Sequence, residues 1–187
     1  YAGSGNDTIY GREGDDILYG EEGDDNLNGE EGNDILVGGA GNDFLRGGYG
    51  ADTYIHNRGD GNDIINNYDP SASRTSDKLI MKGVKAEEVE IRRSGSNLII
   101  HDMVGEETIT IKDAYQYSDG SYYLEHIEFD DASWGLEELE EKTSVIRGDE
   151  SGSYLYGNSS GYNYNINETF YAGSGNDTIY GREGDDI

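Results

Sequence analysis

The chain has 187 residues, of which 33% are apolar, 29 are glycine and one is proline, and 40 carboxylates against 13 Lys and Arg leave a net charge of −27. Repulsion at that density opposes compaction, and so small an apolar fraction offsets little of the lost chain entropy, so a compact fold calls for cations. The acidity argues against nucleic acid or an anionic membrane as partner, the absence of cysteine excludes disulfides and thiolate metal sites, and no apolar run approaches the ~20 residues of a membrane span.

From Ala2 the sequence runs in nine-residue units: AGSGNDTIY, GREGDDILY, GEEGDDNLN, GEEGNDILV, GGAGNDFLR and GGYGADTYI. Asp holds the sixth place at Asp7, Asp16, Asp25, Asp34, Asp43 and Asp52. Gly holds the fourth at Gly5, Gly14, Gly23, Gly32, Gly41 and Gly50, and Ile9, Leu18, Leu27, Leu36, Leu45 and Tyr54 fill the eighth. A glycine that recurs while its neighbours vary marks backbone at positive φ or in close approach, so the first four places predict a tight turn. The β-branched and aromatic triplet that follows, such as Thr8-Ile9-Tyr10, predicts a short strand with its middle residue inward. Two units make one coil of a flattened parallel helix, so turns eighteen residues apart stack on the same edge.

Stacking places Asp7 over Asp25, Asp16 over Asp34, Asp25 over Asp43 and Asp34 over Asp52 at about the 4.8 Å strand spacing. Carboxylates that close destabilise the fold unless a cation sits between successive turns. With oxygen donors abundant and thiols absent, a hard cation fits, and Ca²⁺ suits the irregular, carbonyl-rich geometry of turns better than Mg²⁺. Solvated Asp-Gly turns without metal are the competing reading, but turn chemistry alone does not demand Asp at every sixth place.

These units resemble the repeats-in-toxin (RTX) nonapeptide, glycine-glycine-x-glycine-x-aspartate-x-apolar-x, a calcium-binding β-helix repeat. The resemblance implies a parallel β-roll with about four to seven Ca²⁺ ions between turns one coil apart. The sixth-place Asp would bridge two ions, and the carbonyls of the first four places would complete the shells. Carried over, the carboxylate ligands are the six Asp above with Asp177 and Asp186 in a second copy. The backbone ligands are Gly11, Gly20, Gly29 and Gly38 at the first place and Gly3, Arg12, Glu21, Glu30, Gly39 and Gly48 at the second. Glu13, Glu22, Glu31 and Ala40 follow at the third, with the fourth-place glycines. Arg12, Glu21 and Glu30 depart from the second-place glycine, which leaves their backbone angles open. After Tyr54 the register slips by two residues and resumes at Gly59-Asp60-Gly61-Asn62-Asp63, so Asp63 and Asp60 are expected to close the last site.

From about residue 69 the stretches DKLIMKGV, EVEIRRSG, SNLIIHDM, ETITIKDAY and LEHIEFDD alternate apolar with polar residues and predict an antiparallel meander. SWGLEELEEK at 133–142 predicts a short helix or turn, N-capped by Ser133, with Trp134, Leu136 and Leu139 inward. This order is similar to the region that follows many RTX rolls and caps the open sheet edge. Trp134, Tyr115, Tyr117, Tyr122, Tyr123 and Phe129 read as packing, or alternatively as a surface for carbohydrate or a neighbouring domain. Further on, Gly148 and Gly157 lie nine apart with Leu155 at the apolar place, Ser153 stands where Asp belongs, and Glu168 and Phe170 hold the sixth and eighth places of degenerate opening turns. Residues 171–187 then repeat 1–17 letter for letter.

The expected architecture is therefore all-β: a calcium-binding parallel β-roll over 1–67, an antiparallel β cap with one short helix over 68–147, and opening turns plus the start of the next roll over 148–187. His56, His101 and His126 are scattered and read as structural, and no nucleophile stands out, so no enzyme is expected. The expected function is a calcium-dependent structural module of a large secreted adhesin, stalk or filament protein. Its partners would be calcium ions and neighbouring copies, with no membrane insertion, and type I secretion is the route the resemblance implies. The alternative is a C-terminal type I secretion module of an exported enzyme or toxin. An ice- or carbohydrate-binding array is not supported, because the seventh place reads Thr, Ile, Asn, Ile, Phe, Thr.

Overall fold

Glycine-rich turns alternating with β-prone triplets drive the chain into a stack of flat coils. In the computed structural model, which describes residues 1–69, 76–114, 124–143, 145–147, 154–156, 169–171, 176 and 178–181, the repeats form strands β1 (Gly3–Ser4), β2 (Thr8–Glu13), β3 (Ile17–Glu22), β4 (Asn26–Glu31), β5 (Ile35–Ala40), β6 (Phe44–Tyr49) and β7 (Thr53–Asn57). Odd strands pair parallel with odd and even with even, in a register of eighteen residues: Ile9 opposite Leu27, Leu18 opposite Leu36, Leu27 opposite Leu45, Leu36 opposite Tyr54. Most strands are longer than the triplet expected, because the second and third places of the next unit also pair, as in Arg12 opposite Glu30.

Eighth-place side chains from the two sheets fill the thin interior. Leu27, Leu36, Leu45 and Tyr54 are fully or almost fully buried, and each buried side chain of this size contributes about 1.5–3 kcal/mol. Tyr54 also brings a hydroxyl into the interior, where it accepts a hydrogen bond from Gly47 N–H at 3.0 Å.

The stack continues past the slip. Strand β8 (Ile64–Ile65) pairs parallel with β6, setting Leu45 opposite Ile65, and β9 (Lys78–Lys82) pairs parallel with β7, setting Tyr54 opposite Leu79. This corrects the reading of DKLIMKGV as part of an antiparallel meander: Asp77-Lys78-Leu79 repeats the sixth-to-eighth pattern, and Leu79 is fully buried in the same interior column.

A 3₁₀ turn at Ala86–Glu88 leads into β10 (Val89–Ser94), β11 (Asn97–Asp102) and β12 (Glu107–Ile111), a true antiparallel meander whose Leu98, Ile100, Ile109 and Ile111 extend the core. Strand β12 joins β8 in parallel, and β13 (His126–Glu128) joins β9 in parallel while pairing antiparallel with β14 (Ser133–Gly135). Helix α1 (Leu136–Lys142) follows, with Gly135 rather than Ser133 at its N-cap, because Ser133 and Trp134 are held in the ladder opposite Glu128 and Ile127. The Glu138 carboxylate accepts the Gly135 N–H at 2.7 Å. Trp134 packs edge-on to Phe129 under the Lys142 ammonium, and Leu139 is buried. No helix among the described residues is long and apolar enough to cross a membrane.

Beyond the helix come β15 (Val145–Arg147), β16 (Tyr154–Tyr156), β17 (Thr169–Tyr171) and β18 (Thr178–Tyr180). One sheet has the order β1-β3-β5-β7-β9-β13-β14, the other β17-β15-β10-β11-β12-β8-β6-β4-β2, and β16 pairs with β18. Tyr115, Tyr117, Tyr122, Tyr123, Gly148, Gly157, Ser153 and Glu168 lie outside the described residues.

Candidate metal centre

The turns are built alike. Every second-place residue from the first unit to the sixth has positive φ: Gly3, Gly39 and Gly48 lie at 102°, 99° and 114°, and Arg12, Glu21 and Glu30 at 82°, 80° and 78°. The three non-glycine residues thus adopt the same turn at a steric cost of roughly 1–2 kcal/mol each. The N–H of the fourth-place glycines from Gly5 to Gly41 donates to the third-place carbonyl one coil on, as in Gly5 to Glu22, Gly14 to Glu31 and Gly23 to Ala40 at 2.7–2.8 Å. Those third-place oxygens each accept one hydrogen bond between turns, which leaves a second lone pair on each.

Two side-chain ladders run along each edge in opposite senses. The fifth-place side chains of Asn6, Asp15, Asp24 and Asn33 accept the N–H of Asp24, Asn33, Asn42 and Ala51 one coil ahead. The sixth-place carboxylates reach back. Oδ1 of Asp25, Asp34, Asp43 and Asp52 accepts the N–H of Asp7, Asp16, Asp25 and Asp34 at 2.7–2.9 Å. The fifth-place ladder went unread in the sequence, although Asn or Asp recurs there in five of six units.

The second oxygen of each sixth-place carboxylate has a different fate. Oδ2 of Asp16, Asp25, Asp34 and Asp43 is buried without a hydrogen-bond partner. It lies over the first-place glycine of its own turn, and for Asp16, Asp25 and Asp34 the first-place carbonyl of the next coil approaches the same point. A methyl placed on Gly11 would sit 2.8 Å from Asp16 Oδ2 and 2.7 Å from the Gly29 oxygen. One on Gly29 would collide with Asp34 Oδ2 and lie 2.7 Å from the Gly47 oxygen. Carboxylate and carbonyl oxygens thus converge where no side chain fits. A buried anionic oxygen with no partner is costly, and a hard cation with several oxygen ligands is the group this donor set accommodates. Among the described residues no cluster of three or more carboxylate or imidazole groups is arranged to hold a metal ion, so carbonyls must supply most of any shell.

Metal-free electrostatics agree. Desolvation pushes the Asp34 carboxyl up, and Asp43 and Asp52 up to about 7, with neighbouring Asp adding to the shift, against the opposing backbone hydrogen bonds.

At the last coil the two edges end on different partners. On one, Asp63 Oδ1 accepts the Asp43 N–H at 3.0 Å, but its Oδ2 is taken by His56 Nδ1 at 2.8 Å, and His56 Nε2 lies 3.1 Å from Glu107. On the other, Asp77 continues the ladder by accepting the Asp52 N–H at 2.7 Å, and its Oδ2 accepts from Asn67 Nδ2 at 3.0 Å. A nitrogen donor thus occupies each final Oδ2 where lower coils leave it bare. Burial raises Asp77 to about 8, chiefly by desolvation. Burial alone would lower His56, yet its bonds to Asp63 and Glu107 raise it. The Asp60 carboxylate is drawn into a local turn by the Asn57 N–H and amide at 2.8 Å, so only its carbonyl, bound by Gly41 N–H, faces the stack. Asp7 and Asp16 are half-buried at the open end, and Asp177 and Asp186 lie outside the described residues.

Residues 1–36, 28–65 and 162–187 match the RTX calcium-binding nonapeptide repeat (4 copies), and residues 97–137 match the haemolysin-type calcium binding protein related domain. No curated protein matches the chain.

Proposed function

The chain belongs to the RTX haemolysin-type calcium-binding repeat family, and from that premise we propose that it is a structural unit of a large secreted stalk, adhesin or filament protein, folded by Ca²⁺ and without catalytic function. The observation that carries the proposal is the row of buried, unpartnered Oδ2 atoms over glycine cradles, which supports ions held between first-place carbonyls and sixth-place carboxylates along both edges. Asp7, Asp16, Asp25, Asp34, Asp43 and Asp52 would supply the charge, with Asp77 closing one edge.

Calcium modules outside cells bind at roughly 10⁻⁴–10⁻³ M, and one site at tenfold excess contributes about 1.4 kcal/mol. Several coupled sites together supply about what a whole domain's stability amounts to, so folding and binding become one event. At low calcium the net charge of −27 holds the chain extended, as passage through a narrow export channel requires. Recurrence of residues 1–17 at 171–187 supports a tandem arrangement over a single export module. Far-ultraviolet circular dichroism tests the reading: β signal is expected to vanish with excess chelator at neutral pH and return with Ca²⁺. An unchanged β spectrum under chelation would sink it.

A further inference from the structure

The nine-stranded sheet crosses from one copy of the repeated sequence into the next. It begins at β2, within the first copy of the seventeen residues, and ends at β17, whose Tyr171 opens the second. Pairing is continuous between them. Strands β2, β4, β6 and β8 are parallel, β8 joins β12, the meander turns through β11 to β10, and β10 pairs parallel with β15 and β15 with β17. Every strand of this sheet except β11 therefore runs the same way, so the second roll can start without reversing the coil.

The second copy also shows what covers the start of a roll. Its Thr178-Ile179-Tyr180 is the counterpart of Thr8-Ile9-Tyr10 in β2. In β18 these residues pair in register with Tyr154, Leu155 and Tyr156 of β16. In β2 the corresponding outer edge has no partner strand among the described residues, and its Tyr10 is 57% exposed. A parallel edge with an exposed aromatic is a pairing surface, and the strand that satisfies it lies 24 residues upstream of its partner in the second copy, Tyr154 opposite Thr178.

We propose that the free edge at Thr8–Tyr10 is covered by the counterpart of β16 from a preceding copy, and that successive copies are fused through unbroken sheet into one rod. This inference rests on the tandem reading above. It adds a geometric consequence. Strand β17 lies at the end of the sheet that holds β2, yet its Tyr171 corresponds to Tyr1, which packs face to face on Tyr19 of β3 in the other sheet, ring centroids 4.5 Å apart. The two faces of the roll thus exchange between one copy and the next.

The test uses this chain extended by a second run of residues 18–187. The native chain has no cysteine, so Glu22→Cys in each copy gives two clean spin-label positions. With calcium, double electron–electron resonance is expected to give one narrow distance distribution near ~40 Å, the span of the connecting sheet at about 4.8 Å per strand. Ile146→Pro removes the N–H at the centre of β15 and is expected to broaden that distribution while leaving the calcium midpoint by circular dichroism unchanged. A broad distribution in the parent, or a narrow one that survives Ile146→Pro, overturns the continuous junction. A two-copy protein that shows no calcium-dependent folding at all overturns the underlying functional reading instead.

Discussion

Gly29 shows how one absent side chain sets the chemistry of a turn. A β carbon added to it would collide with Asp34 Oδ2 and lie 2.7 Å from the Gly47 carbonyl oxygen, in the space proposed for an ion. Gly29→Ala is expected to lower the calcium stoichiometry measured by isothermal titration calorimetry by one ion, and to destabilise the calcium-loaded protein by about 1–3 kcal/mol through overpacking. An unchanged ion count would place the cation elsewhere. The sixth-place carboxylates were legible in the sequence because Asp recurs at a fixed interval with glycine two places before it. Asp77 was not, because the stretch from Ile64 to Lys82 contains no glycine, so the count was lost before the pattern resumed at Asp77-Lys78-Leu79. His56 was hidden for a related reason. It and Asn57 are the two residues that break the register, and only the fold brings an imidazole seven residues upstream onto the last carboxylate of that edge.

Elements depend on such local terms at the seam between roll and cap. Arg58, at the first place of the last turn, donates from Nε to Asp102 at 2.6 Å and from Nη2 to Glu88 at 2.7 Å, tying the turn after β7 to the end of β11 and the turn before β10. Asp102 is completely buried. Burial would raise its carboxyl, but Arg58 and the Val104 N–H hold it below the usual carboxylate range. Replacing Arg58 by Ala leaves that carboxylate without its cation. The loss, discounted because Arg58 is 26% exposed, is expected to be about 2 kcal/mol in calcium-loaded protein by urea denaturation. A change below 0.5 kcal/mol would show that apolar packing of Ile100, Ile109 and Ile111 alone secures the seam. Alternation in the sequence announced β10, β11 and β12 as strands. It could not announce that β12 meets β8 in parallel, since a strand with one buried face reads the same whichever way its neighbour runs.

At the scale of the whole molecule, protons and metal compete for the same column of oxygens. In metal-free protein Asp34 is raised, Asp43 and Asp52 are pushed up to about 7 and Asp77 to about 8, all chiefly by desolvation, whereas an unfolded Asp titrates near 3.8. Folded values above unfolded ones mean that the metal-free fold binds more protons than the coil between those limits. Its relative stability is therefore fully present below about 3.8 and is lost as pH rises through about 7 to 8. Carboxylate repulsion across the chain acts in the same direction. Calcium acts in the opposite one, because each ion must displace protons from the carboxylates it binds, so its affinity rises with pH over the same interval. Chelated protein is thus expected to show more β signal at ~pH 5 than at ~pH 8, and the calcium midpoint is expected to fall between those values. Circular dichroism titrations at both pH values check this. A metal-free fold that strengthened towards alkaline pH would mean that these carboxylates are stabilised as anions by the protein itself, and the need for a cation between the turns would disappear with it.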